Sequence, residues 1–474
     1  MPVDPLPEGA AFAGPNVHKN APPQSILSKP YFDSPDLGGE IDNPFGGSNG
    51  LNAPGMGIMA RGRRVPDEPG LSEIILNNTG SGWLERFLLY TPTISIGQRA
   101  PLLVVYHRFG VSHWDAYYNT TFFDEARARG WFVIAPIAAG QKAFSSLEAQ
   151  INVQAALEWT TSHFNIDTNR VYGVGFSMGG GIAASYAARH VDPNGVMFAA
   201  VLNHTGGVSL ANTWALEYDD DDSDDNTPLP GNNLEVPDIL EQWFGGSPSA
   251  QPFAYQRCSL IDLDPQRGTI GPDTDMSRNL SYVPVRDWMA NNDPIQYLRD
   301  QTTAFDAHVN AQNLNNTMTV VNGTVHNWST LDDHAVCDWL SQFTLQIPRS
   351  ASTLADQDGD YFWFHVNQNT AGSFTPFQWV LDPANDRITL YNTANLQRIA
   401  LDVTAAGLQY AGVLKVNMDT ADGTGDQVLL ENMNDPPVTV TRDGVPASGT
   451  WDPSAKTFLI NETDSAVHMW RLNF

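Results

Sequence analysis

Between residues 100 and 345, short runs of apolar residues alternate with longer stretches that carry helix-start and helix-stop signals. Continuous apolar runs of this length are typical of strands that are buried on both faces of a sheet. The helix signals include SSLE at 145–148, which has capping-box spacing before a helix to about 164, and Gly130 after the stretch 119–129. Strands and helices that alternate in this way predict an α/β fold, with a mostly parallel sheet flanked by helices. The predicted strands cover 101–107, 131–136, 171–174, 196–202, 283–288 and 317–321.

The pattern changes on either side of this region. Residues 1–70 are crowded with Pro, Gly and Asn and show no sustained period, which predicts an extended N-terminal arm. The segments 71–77 and 83–90 predict the two strands of a hairpin around the turn sequence NTGSG. Beyond Arg349, short apolar runs are separated by turn clusters, which predicts an antiparallel β-sandwich. These runs include 361–366, 387–391, 413–416 and 438–440.

The expected organisation is therefore an arm at 1–70, an α/β domain at 71–348 and a C-terminal all-β sandwich domain at 349–474. Within the α/β domain the alternation fails at 208–280. We interpret this segment as an inserted lid over the carboxyl ends of the strands, where ligands of such sheets bind. Its seven carboxylates at 217–225 lack the spacing of a calcium-binding loop, so we favour a solvated acidic loop over a metal site.

Charge and composition narrow the range of partners. The formal charge of −28 arises from 53 acidic and 25 basic residues, so neither nucleic acid nor an anionic membrane surface is expected to bind. No run of about 18 apolar residues predicts a membrane span, and the N-terminus has no signal-peptide pattern. The acidic, lysine-poor composition suits a secreted protein whose signal sequence is absent from this chain. In an oxidising compartment Cys258 and Cys337 could form a disulfide, which the sequence leaves open.

The sequence GFSMGGG at 175–181 falls between a predicted strand and a helix-forming stretch. In a nucleophile elbow a serine occupies a strained strand-to-helix turn, and glycines two positions before and after it avoid collisions with neighbouring backbone. Gly175 and Gly179 hold those positions around Ser177. This context favours Ser177 as a nucleophile over an incidental serine in a glycine-rich turn.

A nucleophilic serine needs a base, and the base needs a carboxylate, in the chain order Ser, Asp, His for this topology. Asp293 directly follows a predicted strand, so it lies at the same edge of the sheet as Ser177. Asp287 lies inside that strand, and Asp167 precedes the elbow strand at the opposite edge of the sheet. We therefore select Asp293 as the acid and give Asp287 and Asp167 structural roles.

Two histidines compete for the role of base. His326 follows the predicted strand that ends at 321, in a loop at the expected edge of the sheet. His334 falls in the first turns of the last predicted helix, which we expect Ser329 or Thr330 to cap and which favours a structural role. We favour His326 on position and keep His334 as the alternative.

The oxyanion formed by attack on a carbonyl needs preorganised N–H donors. In an elbow, one donor is the backbone of the residue after the nucleophile, here Met178. The second is expected from the loop 107–110 after an early buried strand, at the backbone of Arg108 or Phe109. We assign His107 a bracing role in that loop.

Aromatic residues in or beside the predicted site loops suggest how a substrate is held. Phe109, Trp114 and Trp328, with Met178, could contact an acyl chain or an aromatic ring, although several of them could belong to the core instead. His204 follows another strand end and is a further candidate for lining the site. No cofactor or metal motif is present, and we expect neither group.

Four motifs occur in order along the chain: YHRFG at 106–110, GFSMGGG at 175–181, NDP at 292–294 and GTVH at 323–326. Together they resemble the α/β-hydrolase superfamily, and more narrowly its secreted polyhydroxyalkanoate depolymerases, feruloyl esterases and cutinase-like polyester hydrolases. The resemblance covers about residues 84–345. It implies that Ser177, Asp293 and His326 form the triad of a serine esterase, acting through an acyl-enzyme on a polyester or on an aromatic or acyl ester. The chain departs from the usual His-Gly pair by having Arg108.

Two alternatives to an esterase remain open. A serine peptidase of the prolyl oligopeptidase class shares the elbow and β accessory domains. A non-catalytic protein whose β domain binds a polymer gains support only if Ser177 lies beyond hydrogen-bond reach of both His326 and His334. The oligomeric state is also open.

Overall fold

The structure, a computed structural model, describes residues 59–474 with short gaps. The predicted arm therefore lies outside the described residues up to 58, and so does the acidic run at 219–225. The chain divides into two compact units. The first comprises residues up to 187 together with 196–274 and 283–346, and the second comprises 188–195, 275–282 and 347–474. The gaps are 66–67, 78, 219–235, 266, 272–274, 313, 411, 420–424 and 464–465.

A nine-stranded sheet runs through the first unit. Its strands are β1 (Met59–Arg64), β2 (Leu71–Asn77), β3 (Glu85–Tyr90), β4 (Ala100–Tyr106), β5 (Phe132–Pro136), β6 (Ile166–Phe176), β7 (Ala200–His204), β8 (Val285–Ala290) and β9 (Asn316–Val321). They lie in the order β1-β2-β3-β5-β4-β6-β7-β8-β9. The pairs from β5 to β9 are parallel, and β1, β2 and β3 join antiparallel. This order is that of an α/β-hydrolase sheet, and the predicted α/β class is confirmed.

Every residue of β4 and of β5 is buried, as their continuous apolar sequences predict for strands covered on both faces. Helices surround the sheet in the described chain. They are α1 (Asp115–Asn119), α2 (Phe122–Arg129), α3 (Leu147–His163), α4 (Met178–Arg189), α5 (Leu210–Tyr218), α6 (Val236–Phe244), α7 (Pro252–Arg257), α8 (Gln296–Ala311) and α9 (Asp333–Leu340). None of the helices within the described ranges is both long enough and apolar enough to cross a membrane.

Two predicted helix starts need correction. The N-cap of α3 is Ser146, whose hydroxyl accepts the Ala149 N–H, one residue later than the capping-box spacing suggested. The last helix, α9, begins after Asp332, whose carboxylate caps it, because Ser329 and Thr330 belong to a separate 3-10 turn. In both cases several adjacent residues can act as caps, and the tertiary course of the chain decides which one does.

The segment 208–280, predicted as a lid, is largely helical where it is described. It contains α5, α6 and α7, and the indole Nε1 of Trp214 on α5 donates to the Glu241 carboxylate on α6 at 3.0 Å. Trp243 of α6 packs against Trp83, with 5.1 Å between ring centroids. The helices therefore contact the hairpin loop before β3. A lid function for this segment stays a prediction.

The second unit is built from a seven-stranded and a six-stranded sheet. Buried aromatic side chains of the two sheets meet, with the ring of Phe364 lying 5.3 Å from Trp379 and 6.2 Å from Phe377. Segments 188–195 and 275–282, which the sequence placed in the α/β domain, belong to this unit. The strands are β10 (Ser350–Ala355), β11 (Gly359–Tyr361), β12 (Phe364–Gln368), β13 (Thr375–Asp382), β14 (Arg387–Tyr391), β15 (Leu396–Asp402), β16 (Val413–Met418), β17 (Gln427–Glu431), β18 (Thr439–Arg442), β19 (Val445–Pro446), β20 (Thr450–Asp452), β21 (Thr457–Asn461) and β22 (His468–Asn473).

Two features of these sheets differ from the prediction. The pairs β14/β16 and β15/β17 are parallel, so the sheets are not purely antiparallel. The apolar run 361–366 is not one strand, because β11 and β12 form a hairpin with Phe362 in its turn at φ 55°. A continuous run of aromatic residues hides such a turn, since it contains none of the usual Gly, Asn or Asp signals.

Candidate active site

The strand-to-helix turn around Ser177 has the geometry of a nucleophile elbow. Ser177 stands between β6 and α4 with φ at 56°, a left-handed conformation that is unfavourable for a residue with a Cβ atom. A Cβ on Gly175 would lie 2.0 Å from the carbonyl oxygen of Gly179, and one on Gly179 would lie 2.5 Å from that of His107. The two glycines are therefore required by close backbone approach. The turn is held by the Ser177 N–H, which donates to the His204 carbonyl at 2.9 Å.

Asp293 and His326 form a hydrogen-bonded pair. Asp293 follows β8 and is 2% exposed, and its Oδ2 lies 2.7 Å from Nδ1 of His326. Its other oxygen accepts the Ile295 N–H at 2.9 Å, which fixes the carboxylate. Because a carboxylate only accepts, Nδ1 carries the imidazole proton and Nε2 keeps a free lone pair, as a general base requires.

The His326 ring lies beside the elbow, with 4.5 Å between its centroid and that of Phe176, the residue before Ser177. Its Nε2 atom is buried and makes no hydrogen bond within the described chain, so no such bond joins it to Ser177 Oγ. In unliganded enzymes this bond is often long and forms only when substrate is bound. The arrangement thus supplies an oriented base next to the serine, and the hydrogen bond between Ser177 Oγ and His326 Nε2 is not formed in this structure.

His334 is differently placed. Its side chain is 66% exposed and lies 2.9 Å from the Glu125 carboxylate and 3.4 Å from that of Asp338. The hydrogen bond to Glu125 and the two negative charges raise the pKa of His334 above its ordinary value. These surface partners, rather than Asp293, orient its ring, so the geometry favours His326.

Asp287 and Asp167, to which the sequence analysis gave structural roles, bond to residues other than His326. Asp287 is fully buried in β8, where the amides of Asn203 and Asn316 donate to it at 2.7 and 3.1 Å. Burial raises the pKa of Asp287 to about 7, although these two amides oppose the shift. Asp167 forms an ion pair with Arg170 at 2.6 Å at the start of β6.

The loop 107–110 follows β4 and is anchored on both sides. The Arg108 N–H points at Oδ2 of Asp115 at 3.5 Å, and its Nε lies 3.3 Å from Oδ1. Ring nitrogens of the buried His107 contact the carbonyl oxygens of Arg108 at 2.7 Å and of Ile137 at 3.2 Å. In a trans peptide the C=O and the following N–H point in opposite directions, so the Phe109 N–H faces away from His107. Of the two predicted donors, Phe109 is therefore the better placed.

Two of the predicted substrate-contacting aromatics belong to the core. Trp114 and Trp328 are only 5% and 2% exposed, and the indole N–H of Trp328 donates to Asp115 at 2.8 Å. Their burial favours the alternative that both belong to the core, which their sequence position in a loop could not reveal. Phe109 is half-buried, and its ring packs against that of Phe144, with 5.4 Å between centroids. No sequence motif marked Phe144 as a neighbour of this loop.

His204 lies behind the elbow rather than on an open surface. It is 1% exposed, its ring is 4.5 Å from that of Phe176, and its Nε2 lies 2.9 Å from Thr330 Oγ1. Burial, with the nearby His326, lowers the pKa of His204 well below its ordinary value, so the ring is neutral. Its contacts support the elbow and the segment after His326.

Within the described ranges no group of three or more His, Cys, Asp or Glu residues is arranged to hold a metal ion. Cys258 and Cys337 are both buried and are not bonded to each other, so the disulfide that the sequence left open is not formed.

Comparisons with known proteins add little beyond the fold. No protein-family model matches the sequence, and no curated protein matches it. Among solved structures, an S-formylglutathione hydrolase from Agrobacterium tumefaciens has 12% identity and a TM-score of 0.40, and the match covers 62% of this chain and 98% of that one. An esterase from Pyrobaculum calidifontis has 18% identity and a TM-score of 0.39, with 58% and 84% covered. An acetyl xylan esterase from Paenibacillus sp. R4 has 14% identity and a TM-score of 0.40, with 60% and 88% covered. Matches at these values do not show what this chain does.

Proposed function

We propose that this protein is a serine carboxylic-ester hydrolase that acts through an acyl-enzyme. The observation that carries the proposal is the 2.7 Å bond between Asp293 and His326, beside a serine held at positive φ in an elbow. Together these features supply an oriented base and a serine presented at a strained turn, in the chain order expected of this fold.

In the proposed reaction, Ser177 Oγ attacks the ester carbonyl carbon while its proton passes to Nε2 of His326. Asp293 stabilises the imidazolium that forms and does not itself take the proton. The carbonyl oxygen becomes an oxyanion that accepts the N–H groups of Met178 and Phe109. Collapse of this intermediate expels the alcohol, which takes the proton from His326. Water then attacks the acyl-enzyme by the same route in reverse and releases the acid.

A fluorophosphonate probe tests this proposal most directly, since it phosphonylates only an activated serine. We expect one label on Ser177 by peptide mass spectrometry, together with hydrolysis of p-nitrophenyl butyrate. Ser177→Ala should abolish both signals with the fold retained. His326→Ala should lower kcat at least about a thousandfold, and the matched change His334→Ala should leave kcat within about twofold because its partners are on the surface.

Absence of both label and hydrolysis in the wild-type protein would contradict the proposal. It would favour a non-catalytic binding protein, an outcome consistent with the open contact between Ser177 and His326. Peptide substrates assayed on the same preparation separate an esterase from a peptidase of similar architecture.

We further propose that the substrate is an acyl or aromatic ester, including a polyester, held against the rings of Phe109 and Phe144. Their position beside the proposed oxyanion donor supports this assignment. A series of p-nitrophenyl esters of increasing chain length, and release of acid from polyester films, would measure the preference. Phe109→Ala should raise KM most for the longest or aromatic acyl groups.

The remaining parts of the proposal concern the rest of the chain. We propose that 208–280 acts as a lid, that the two sheets of the second unit form an accessory β-sandwich, and that the protein is secreted. The acidic composition supports secretion and argues against nucleic acid or anionic membrane as a partner. Detection of the protein in culture medium after expression from its native locus would test its location.

A further inference from the structure

A single buried carboxylate holds the turn that follows β5. Glu85, the first residue of β3, is fully buried. Its Oε1 accepts the N–H groups of Ile137 at 2.9 Å and Ala138 at 3.1 Å, and its Oε2 accepts that of Ala139 at 3.0 Å. A side chain from one strand thereby accepts hydrogen bonds from three successive backbone donors of a turn more than fifty residues away in sequence, the first of which also donates to the Arg86 carbonyl at 2.8 Å.

This turn needs such support, because two of its residues are strained. Ala138 and Ala139 have φ values of 52° and 65°, in the left-handed region that residues with a Cβ atom rarely occupy. Conformations of this kind persist only where surrounding contacts enforce them. The three hydrogen bonds to Glu85 are the contacts that aim all three N–H groups at one point.

The loop 137–144, which begins with the supported turn, contacts the proposed oxyanion loop 107–110 at three places. In the first contact, the Ile137 carbonyl oxygen lies 3.2 Å from Nε2 of His107. The other ring nitrogen of His107, Nδ1, lies 2.7 Å from the carbonyl oxygen of Arg108. The second contact is a hydrogen bond from the Gly110 N–H to the Gln141 carbonyl at 2.9 Å. The third is made by side chains: the Phe109 ring centroid lies 5.4 Å from that of Phe144 and 5.4 Å from the ammonium group of Lys142.

We propose that Glu85 is a positioning residue for the oxyanion hole: through the 137–144 loop it holds 107–110 so that the Phe109 N–H points at the developing oxyanion. This role rests on the proposed esterase function. Glu85 itself is too deeply buried to touch substrate, so its effect passes through the loop. An interaction that strengthens only in the transition state should affect kcat and leave KM nearly unchanged.

Glu85→Gln tests this role, since it keeps the side-chain shape but turns one accepting oxygen into an N–H group that faces backbone donors. Loss of a whole oxyanion donor costs about 10²–10³ in kcat, so a misaimed donor should cost about tenfold or more. KM should stay within about twofold, and inhibition by a trifluoromethyl ketone that mimics the oxyanion should weaken by the same factor as kcat. A rise in KM with kcat unchanged would overturn the role.

Asp333→Asn is the matched control. Asp333 is likewise a buried carboxyl in the first unit that accepts a backbone N–H, from Thr121 at 2.6 Å, but it lies on α9. We expect kcat of this variant within about twofold of wild type. An equal loss of kcat in the two variants would show a general effect of disturbing the fold, and would overturn the specific role of Glu85.

Hydrogen exchange separates this inference from the function on which it rests. Amides of peptides covering 107–110 and 137–144 should exchange faster in Glu85→Gln than in wild type or Asp333→Asn, whether or not an ester is turned over. Unchanged exchange would refute the positioning role. A wild-type protein that neither reacts with fluorophosphonate nor hydrolyses esters would instead refute the esterase proposal.

A second variant covers the case in which Glu85→Gln does not fold. Combining it with Ala138→Gly and Ala139→Gly removes the penalty for left-handed φ, so the weaker acceptor that Glu85→Gln introduces has less strain to oppose, and the turn depends less on the carboxylate of Glu85. We expect this triple variant to fold and to recover kcat above Glu85→Gln, or to retain at least a tenth of the wild-type value. Failure to do so at a native-like Tm would contradict a role that acts through the turn.

Discussion

Asp333 makes the stability of the first unit depend on pH in a calculable way. It is the first residue of α9 and is 3% exposed, and its Oδ2 accepts both the N–H and the hydroxyl of Thr121, at 2.6 and 2.9 Å. Its Oδ1 is buried and has no hydrogen-bond partner in the described part of the chain. Burial raises the pKa of Asp333 from 3.8 to about 7, although the bonds from Thr121 oppose the shift.

The sign follows from which state holds the proton. Between pH 3.8 and 7, Asp333 is ionised in the unfolded chain and protonated in the folded one. Its contribution to stability is therefore fully present below pH 3.8 and is lost as the pH rises through about 7. One such proton changes the free energy of unfolding by about 1.4 kcal/mol per pH unit, which gives a loss of about 2 kcal/mol between pH 5 and 7.

Urea unfolding of wild type and Asp333→Asn at pH 5, 6, 7 and 8 measures this term, because other carboxylates cancel in the difference. The variant should gain about 2 kcal/mol relative to wild type between pH 5 and 7. Asp338→Asn is the control on the same helix: its carboxylate is exposed and bonded to Arg129, which lowers its pKa, so it is ionised in both states from pH 5 to 8 and its replacement should give a difference that does not change with pH. A difference between wild type and Asp333→Asn that does not change with pH would refute the reasoning.

Three further predictions follow from single contacts. Gly175→Ala should destabilise the protein by about 3 kcal/mol or more and abolish fluorophosphonate labelling, because the added Cβ would lie 2.0 Å from backbone. Gly412→Ala is the control in chemical denaturation, because a Cβ added there would have no heavy atom of the described residues within 4 Å beyond its chain neighbours. Asp293→Asn should lower kcat by about 10³–10⁴ with KM little changed, because the base loses its tautomer, and steady-state kinetics would check this. Cys258 and Cys337 should resist iodoacetamide in the folded protein and both react after unfolding without reductant, whereas a disulfide would leave them unreactive.

The parts of the fold that the sequence predicted are those with a strong local signal. The strands at β4 and β5 are continuous apolar runs that are buried completely, and the helix α2 ends at Gly130 with φ at 69°. The hairpin at 361–364 was missed because Phe362 occupies a left-handed turn position that local propensity assigns to Gly or Asn. The parallel pairs in the second unit were missed because pairing partners are not encoded in the alternation of a single strand.

For the candidate site, too, the sequence predicted some features and not others. Ser177 could be proposed as the nucleophile because glycine spacing, strand and helix coincide within a dozen residues. Asp293 and His326 were identifiable because strand ends place them at one edge of the sheet. The burial of Trp114 and Trp328 could not be predicted, since an aromatic residue in a loop has the same local sequence pattern whether it lines a cleft or fills a core.

Asp115 explains why this chain has Arg108 where the usual motif has glycine after histidine. This buried carboxylate accepts the N–H and Nε of Arg108 at 3.5 and 3.3 Å, the amide of Asn119 at 2.9 Å and the indole N–H of Trp328 at 2.8 Å. Trp328 stands two residues after His326, so Asp115 joins the loop of the proposed oxyanion donor to the loop of the proposed base. A glycine at 108 would supply the backbone bond but not the Nε bond, and the buried carboxylate would lose its only ion-pair partner among the described residues. The arginine therefore fits this chain because the carboxylate that links its two site loops needs a cation.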